Sequence, residues 1–377
     1  MKRISLRITA VIMSSFILFF LIGTIIRHKG RMSFHENRLL ADKPRPSVSA
    51  LMDGSFTDQL SACITDYFAG RSRWISASSA IQAELGECII NGVYADDERL
   101  LNVDRPENYA IDLTVSAVND YASSNDGAVY FVAVPTSSGV YSDRLPGYIF
   151  KDYERRQIDA LYEALDDSIR TVNAYNVLRM LNDNYIYYRN DTKWTSYGAY
   201  CVYRTVIQKL GFQPVAYDKY IFNHISSDFY GDLYNRTGYT RAKADIIDIY
   251  EYPDGAAVTG CTKYYSDGSV EEEAGLYDLS LLDSSYKYNV YMGGEAAVTK
   301  IYTEVKNDKN LLVIKDSYAD CFLPFLTQHY SEITVVSPRD LTVPLSRFID
   351  TSDYGQTLFL FGIDGLGDGS LFENICK

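Results

Sequence analysis

Two short segments about 120 residues apart carry side chains that could do covalent chemistry. One is Asp191-Thr192-Lys193-Trp194-Thr195, and the other is Lys315-Asp316-Ser317, directly after the apolar run Leu311-Leu312-Val313-Ile314. A serine that follows a buried strand and precedes a helical stretch holds its Oγ at the carboxyl edge of a sheet. There, helix-start N–H groups can receive an oxyanion. An Asp-x-His upstream would complete a triad, but the third residue here is Lys193. Histidine suits a general base because its reference pKa, about 6.5, lies near neutrality. Lysine starts near 10.4, so its pKa would have to fall by about three, at a cost of roughly 4 kcal/mol. Burial can do that, and Ser-Lys pairs exist, but a neighbouring Asp191 carboxylate works the other way. Two readings of Lys193 therefore stand side by side: a base for Ser317, or an ion-pair partner of Asp191.

Other groups could enter the same chemistry. His329 follows Ser317 by 12 residues, about 18 Å along a continuous helix, too far to serve it unless the helix breaks at Pro324. His224 is a possible substitute base of unknown position. Asp316 suits a helix N-cap. Trp194 and Tyr197 are candidate substrate contacts, with a sugar platform weighed against a core role for the tryptophan. Gly198 and Ala199 suit close helix–sheet packing, and Gly293-Gly294 suits a turn.

The elements that must position these groups follow from composition and periodicity. The chain has 377 residues, 47% of them hydrophobic, and a net charge of −13. That charge argues against nucleic acid as a partner. Tyrosine is abundant, 33 against 17 phenylalanines, which fits half-buried strands and, in part, polar ligands. Residues 8–26 form an apolar stretch long enough to cross a bilayer, preceded by Lys2, Arg3 and Arg7. Nothing after it resembles a cleavage site, so an uncleaved single-pass anchor is expected. Arg27, Lys29 and Arg31 balance the other flank, so charge alone does not orient it. Cysteines stand at 63, 88, 201, 261, 321 and 376 without a C-x-x-C pair, and the four histidines are scattered. No metal or cofactor is expected. Cys63 and Cys88 are the nearest candidates for a disulfide, with free thiols the alternative.

After a polar connector over residues 27–46, residues 53–87 show helical spacing. From residue 108 strand and helix alternate. Helices are expected over 110–124, 152–169, 195–210 and 319–329, and strands over 129–134, 311–314, 333–336 and 357–361. Residues 217–309 read as a β-rich insertion. Buried apolar strands separated by helices predict an α/β fold: a mostly parallel sheet with helices on both faces, in three layers. The expected division is 1–30 cytoplasmic tip and anchor, 31–105 connector and helical segment, and 106–377 the α/β domain.

Taken together, these segments resemble the DHHW family of bacterial surface proteins, related to the SGNH-hydrolase-like proteins that O-acetylate alginate. The resemblance runs through His35-Glu36-Asn37-Arg38-Leu39, Asn91-Gly92-Val93-Tyr94 and residues 134–146 (VPTSSGVYSDRLP). It continues through 191–200 (DTKWTSYGAY), 229–238 (FYGDLYNRTG) and 311–326 (LLVIKDSYADCFLPFL). It implies an SGNH-like domain outside the cytoplasm, anchored in the cell membrane. The implied chemistry is O-acetyltransferase or esterase-type, on a cell-surface polysaccharide, with a membrane-bound partner supplying the acyl donor. The alternative is an inactive SGNH-like domain that binds glycan or a partner in an envelope complex. Carried over residue by residue, Asp191 matches the triad aspartate and Ser317 the nucleophile. Lys193 stands where the family has its catalytic histidine, and Thr192 where it has the other histidine.

Overall fold

The computed structural model describes residues 2–26, 32–33, 38–104, 111–273, 275–284, 286–367 and 369–375. It divides into two compact units. The smaller comprises residues 1–91 and 234–241 and holds four helices: α1 (Lys2–Ile26), α2 (Val48–Met52), α3 (Ser55–Tyr67) and α4 (Arg71–Glu84). Helix α1 is long and apolar enough to cross a membrane. The helical stretch expected over 53–87 is broken at Gly54 and Gly70, whose positive φ values start α3 and α4. Cys63 and Cys88 are both free thiols, so the candidate disulfide is not formed. His28, His35 to Asn37 and Cys376 lie outside the described residues.

The larger unit comprises residues 92–233 and 242–377. Its longer helices are α5 (Ile111–Ser124), α7 (Tyr153–Ala164), α8 (Ala174–Met180) and α9 (Ser196–Lys209), with single-turn α6 (Ser137–Val140) among the shorter ones. The strands of its main sheet and of a separate ribbon are β1 (Ala128–Val134), β2 (Arg170–Thr171), β3 (Ile221–Phe229), β4 (Asp245–Glu251), β5 (Val258–Tyr264), β6 (Val270–Glu273), β7 (Val298–Thr303), β8 (Asn310–Lys315), β9 (Glu332–Val336) and β10 (Gln356–Gly362). Eight of them form one sheet in the order β6-β5-β7-β9-β8-β10-β1-β2. The five from β9 to β2 are parallel, and the other three add antiparallel at one side.

The central parallel strands β1, β8 and β10 carry long apolar runs because both faces are covered. Tyr130, Val132 and Val134 of β1 face one core with α8 and α9, while Val129, Phe131 and Ala133 face the other with α5 and α7. The three-layer expectation therefore holds. The stretch expected as an insertion does not stand apart as a whole. Its strands β5, β6 and β7 extend the main sheet, and only the β3–β4 ribbon is separate. Period-two patterning shows that a strand has a buried face, but it does not show which neighbour it pairs with.

Candidate active site

Three adjacent parallel strands, β8, β10 and β1, deliver their carboxyl ends to one edge of the sheet. β8 runs into Asp316 and Ser317, β10 into Asp364, and β1 into Pro135 and Thr136. Ser317 begins a single 3₁₀ turn, Ser317–Ala319. The Asp316 carboxylate caps this turn, accepting from the Tyr318 N–H at 2.9 Å and from the Gly362 N–H at 2.8 Å. The expected helix over 319–329 is reduced to Leu323–Leu326, with Pro324 in its first turn. The helix-start N–H groups foreseen as an oxyanion site are already engaged: Tyr318 bonds the Asp316 side chain, and Ala319 bonds the Asp316 carbonyl at 3.1 Å. Ser317 itself is half-buried. Its carbonyl accepts from the Tyr288 hydroxyl at 3.1 Å. Among the described residues no side chain is bonded to its hydroxyl.

The Asp191 segment is brought to this turn by Tyr318, the residue after the serine. The Trp194 indole N–H donates to the Tyr318 carbonyl at 2.8 Å, and the Tyr318 hydroxyl donates to the Thr192 carbonyl at 2.9 Å. Thr195 starts α9: its hydroxyl oxygen accepts from the Gly198 N–H at 3.2 Å. Gly198 lies so close to the Ile186 carbonyl that a Cβ there would sit 2.2 Å from the oxygen, which is the packing role read for it. Trp194 is fully buried and stacked on Phe322 at 6.2 Å. A sugar platform must offer a ring face to solvent, so Trp194 is a core residue that joins the two segments. Tyr197 faces Tyr217 at 5.5 Å and lines a recess with Val177, Leu181, Cys201 and Arg204. Neither Ser317 nor Lys193 borders that recess.

Asp191 and Lys193 are both buried, and both are engaged. Asp191 Oδ1 accepts the Lys193 N–H at 3.0 Å, and Oδ2 accepts the Asp232 N–H at 2.9 Å. The approach to Asp232 needs Gly231, since a Cβ there would fall 2.3 Å from Oδ2. Lys193 Nζ donates to the Tyr286 hydroxyl at 2.7 Å and lies 3.6 Å from Asp191 Oδ1. It also lies over the rings of Tyr286 and Tyr288, at 5.5 and 5.2 Å. Burial pulls the lysine pKa down. The Asp191 charge, with Tyr286 and Asp232 behind it, outweighs burial and holds the ammonium well above its ordinary value. Lys193 is thus a fixed cation, and the ion-pair reading is the one its surroundings support.

Neither histidine replaces it. His329 is buried, its Nε2 is 2.7 Å from the Tyr203 hydroxyl, and burial lowers it to about 4. His224 is exposed on the β3–β4 ribbon, paired with Asp248.

Sequence reading missed Asp364. It follows β10 with its side chain open to water, yet it is crowded by protein. A Cβ at Gly362 would meet Asp364 Oδ1 at 2.6 Å and the Tyr318 ring at 2.3 Å, and a Cβ at Gly365 would lie 3.1 Å from Asp316 Oδ2. Desolvation by the protein packed around it, then the charges of Asp316 and Glu154, raise its carboxyl to about 7, with Lys193 opposing. The available signal was a lone acid at the carboxyl end of an apolar strand. Tyr286 and Tyr288 lie in an aperiodic stretch that gave no signal. Behind Ser317, Lys315 Nζ lies 2.6 Å from Glu295 and 2.7 Å from Asp320, both ion pairs. Among the described residues no group of three or more His, Cys, Asp or Glu side chains is placed to hold a metal.

Sheet order, layers and the placement of the serine edge define a three-layer α/β protein with a mostly parallel sheet. More specifically, the chain belongs to the DHHW family, whose model, described as DHHW protein, matches residues 81–336. A DHHW family protein from Eubacterium siraeum shares the fold, with TM-score 0.64 and 22% identity over 75% of this chain and 95% of that one. PatB1 from Bacillus cereus, solved with a sulfonyl adduct, superposes with TM-score 0.62 and 19% identity over 74% and 97%. No curated protein matches the sequence.

Proposed function

We propose that this chain is a membrane-anchored, extracytoplasmic DHHW protein that performs acyl chemistry on a cell-surface polysaccharide, with Ser317 as nucleophile and Asp364 in place of Lys193 as the group that takes its proton. The observation that carries this reading is the carboxyl edge itself. The Ser317 hydroxyl, half-buried and with no side-chain partner among the described residues, and the exposed Asp364, its carboxyl raised to about 7, follow the adjacent parallel strands β8 and β10. In the proposed step Ser317 Oγ attacks the acyl carbonyl while its proton passes to the Asp364 carboxylate. Collapse expels the donor's leaving group, which takes that proton back, and leaves an acyl-serine. A sugar hydroxyl then attacks the acyl-serine, its proton passing to the Asp364 carboxylate and from there to Ser317 Oγ as the new ester leaves, and transfer is preferred to hydrolysis on the family's kinship. A membrane-bound partner is the proposed source of the acyl donor, and α1 the proposed anchor, with the amino terminus inside.

The test is covalent. A fluorophosphonate or sulfonyl fluoride probe should label the full chain at Ser317, and activated-ester turnover should vanish in Ser317→Ala with its melting unchanged. Turnover that survives this change removes Ser317 from the mechanism. The engagement of Lys193 favours one other reading, a non-catalytic glycan-binding domain. That reading predicts saturable polysaccharide binding with no labelling of the serine.

A further inference from the structure

Helices α3 and α4 expose apolar side chains that a water-facing helix would turn inward. On α3, Leu60 and Ile64 lie one turn apart on one exposed face, and Phe68 follows directly after the helix end. On α4, Trp74, Ile81 and Leu85 recur at i, i+7 and i+11, exposed by 53%, 61% and 76%. The two stripes converge on the turn between the helices, and that turn is docked on α1. Phe68 stacks on Phe20 at 5.2 Å with the rings 2° from parallel, and Trp74 lies 6.0 Å from the same ring. The Ala69 N–H donates to the Thr24 hydroxyl at 3.3 Å, and a Cβ on Gly23 would lie 3.0 Å from that of Ala69.

The apolar window of α1 runs from Arg7 to Thr24, about 27 Å at 1.5 Å per residue, roughly the thickness of a bilayer's hydrocarbon core. Phe20 lies one turn inside the end of that window. Side chains that stack on Phe20 must therefore sit at the depth where acyl chains meet headgroups, the level at which tryptophan is enriched in membrane proteins. From this geometry we infer that α3 and α4 form an interfacial hairpin, lying on the membrane that α1 crosses with their apolar stripes among the lipids. The occupant of the exposed stripes is lipid, because they are continuous with a lipid-facing helix at a fixed depth. This inference rests on the proposal that α1 spans the membrane.

The chain has two tryptophans, Trp74 and the fully buried Trp194, which permits a direct test. The full chain is reconstituted in phosphatidylcholine–phosphatidylglycerol vesicles, and emission is compared between plain and dibrominated lipids. Bromine near the headgroup end of the acyl chains should quench Trp74 more than bromine near the bilayer centre. Trp74→Phe should abolish the quenching, because Trp194 is shielded. In that background Ile81→Trp should be quenched again, since it reports whether α4 continues along the interface. Protein that resists carbonate extraction but shows no quenching at position 74 or 81 overturns the hairpin and leaves the anchor standing. Protein released by carbonate overturns both.

Discussion

Two segments meet at the carboxyl edge of the sheet, and they treat charge in opposite ways. Around Asp191 and Lys193 the ions are buried, both carboxylate oxygens are bonded, and the ammonium has a hydroxyl and two aromatic faces. Around Ser317 and Asp364 the polar groups reach water, and the hydroxyl has no side-chain partner among the described residues. A satisfied buried ion has little left to offer a substrate, whereas an accessible carboxyl that titrates near neutrality does. The contrast is what supports the proposal that the Asp191–Lys193 segment is architecture and that the chemistry belongs to the strand ends beside it.

The largest expected effect tests the chemical side. Asp364→Asn should lower turnover by about 10²- to 10⁴-fold, the scale of a lost general base. The wild-type rate should rise as pH passes through about 7, because the carboxyl must be ionised to accept the proton. A flat profile across that range would reject Asp364 as the base. On the other side, Lys193→Ala should cost about 3–5 kcal/mol of stability, since it leaves Asp191 buried without its cation. Denaturant unfolding measures this loss, while turnover per folded molecule should hold at pH well above 7, where Asp364 stays ionised without the Lys193 charge. A smaller loss, about 1.5–3 kcal/mol, is expected for Tyr286→Phe, which removes one hydrogen bond to a charged group.

The mildest effect concerns the buried Lys315–Glu295–Asp320 cluster. Burial and then Glu295 push the Asp320 carboxyl up, against the pull of Lys315. A carboxyl raised on folding makes stability decline as pH rises above its unfolded value. Asp320→Asn should flatten that slope in melting curves taken across the range.

Much of this arrangement was legible in the sequence, and the limits have physical causes. The parallel strands announced themselves because strands buried on both faces read as unbroken apolar runs, as in residues 129–134 and 311–314. The tie between the two motif segments could be expected from their resemblance to one family, but its agent, Tyr318, could not. A tyrosine in a sequence rich in tyrosine carries no mark of its partners. Trp194 was readable as either core or ligand contact, and only its burial decides. Asp364 went unnoticed because attention to Ser, His and Lys passes over a lone acid before a glycine-rich tail. Strands β5 to β7 were read as strands but not as part of the main sheet, because pairing is set by tertiary contacts that period-two patterning does not encode.

The double tie through Tyr318 also fixes when the site can exist. Trp194 and Tyr318 stand 124 residues apart, and the β3–β4 ribbon and strands β5 to β8 are threaded between them. Closing so long a loop costs chain entropy before the contact contributes anything, so such pairings form late in folding. A chain still being synthesised can build local helices and hairpins, yet its serine has no neighbouring segment to define a site. The proposed reactivity at this edge therefore belongs to the completed fold, and a chain stalled between the two motifs lacks it while much of its local secondary structure can form.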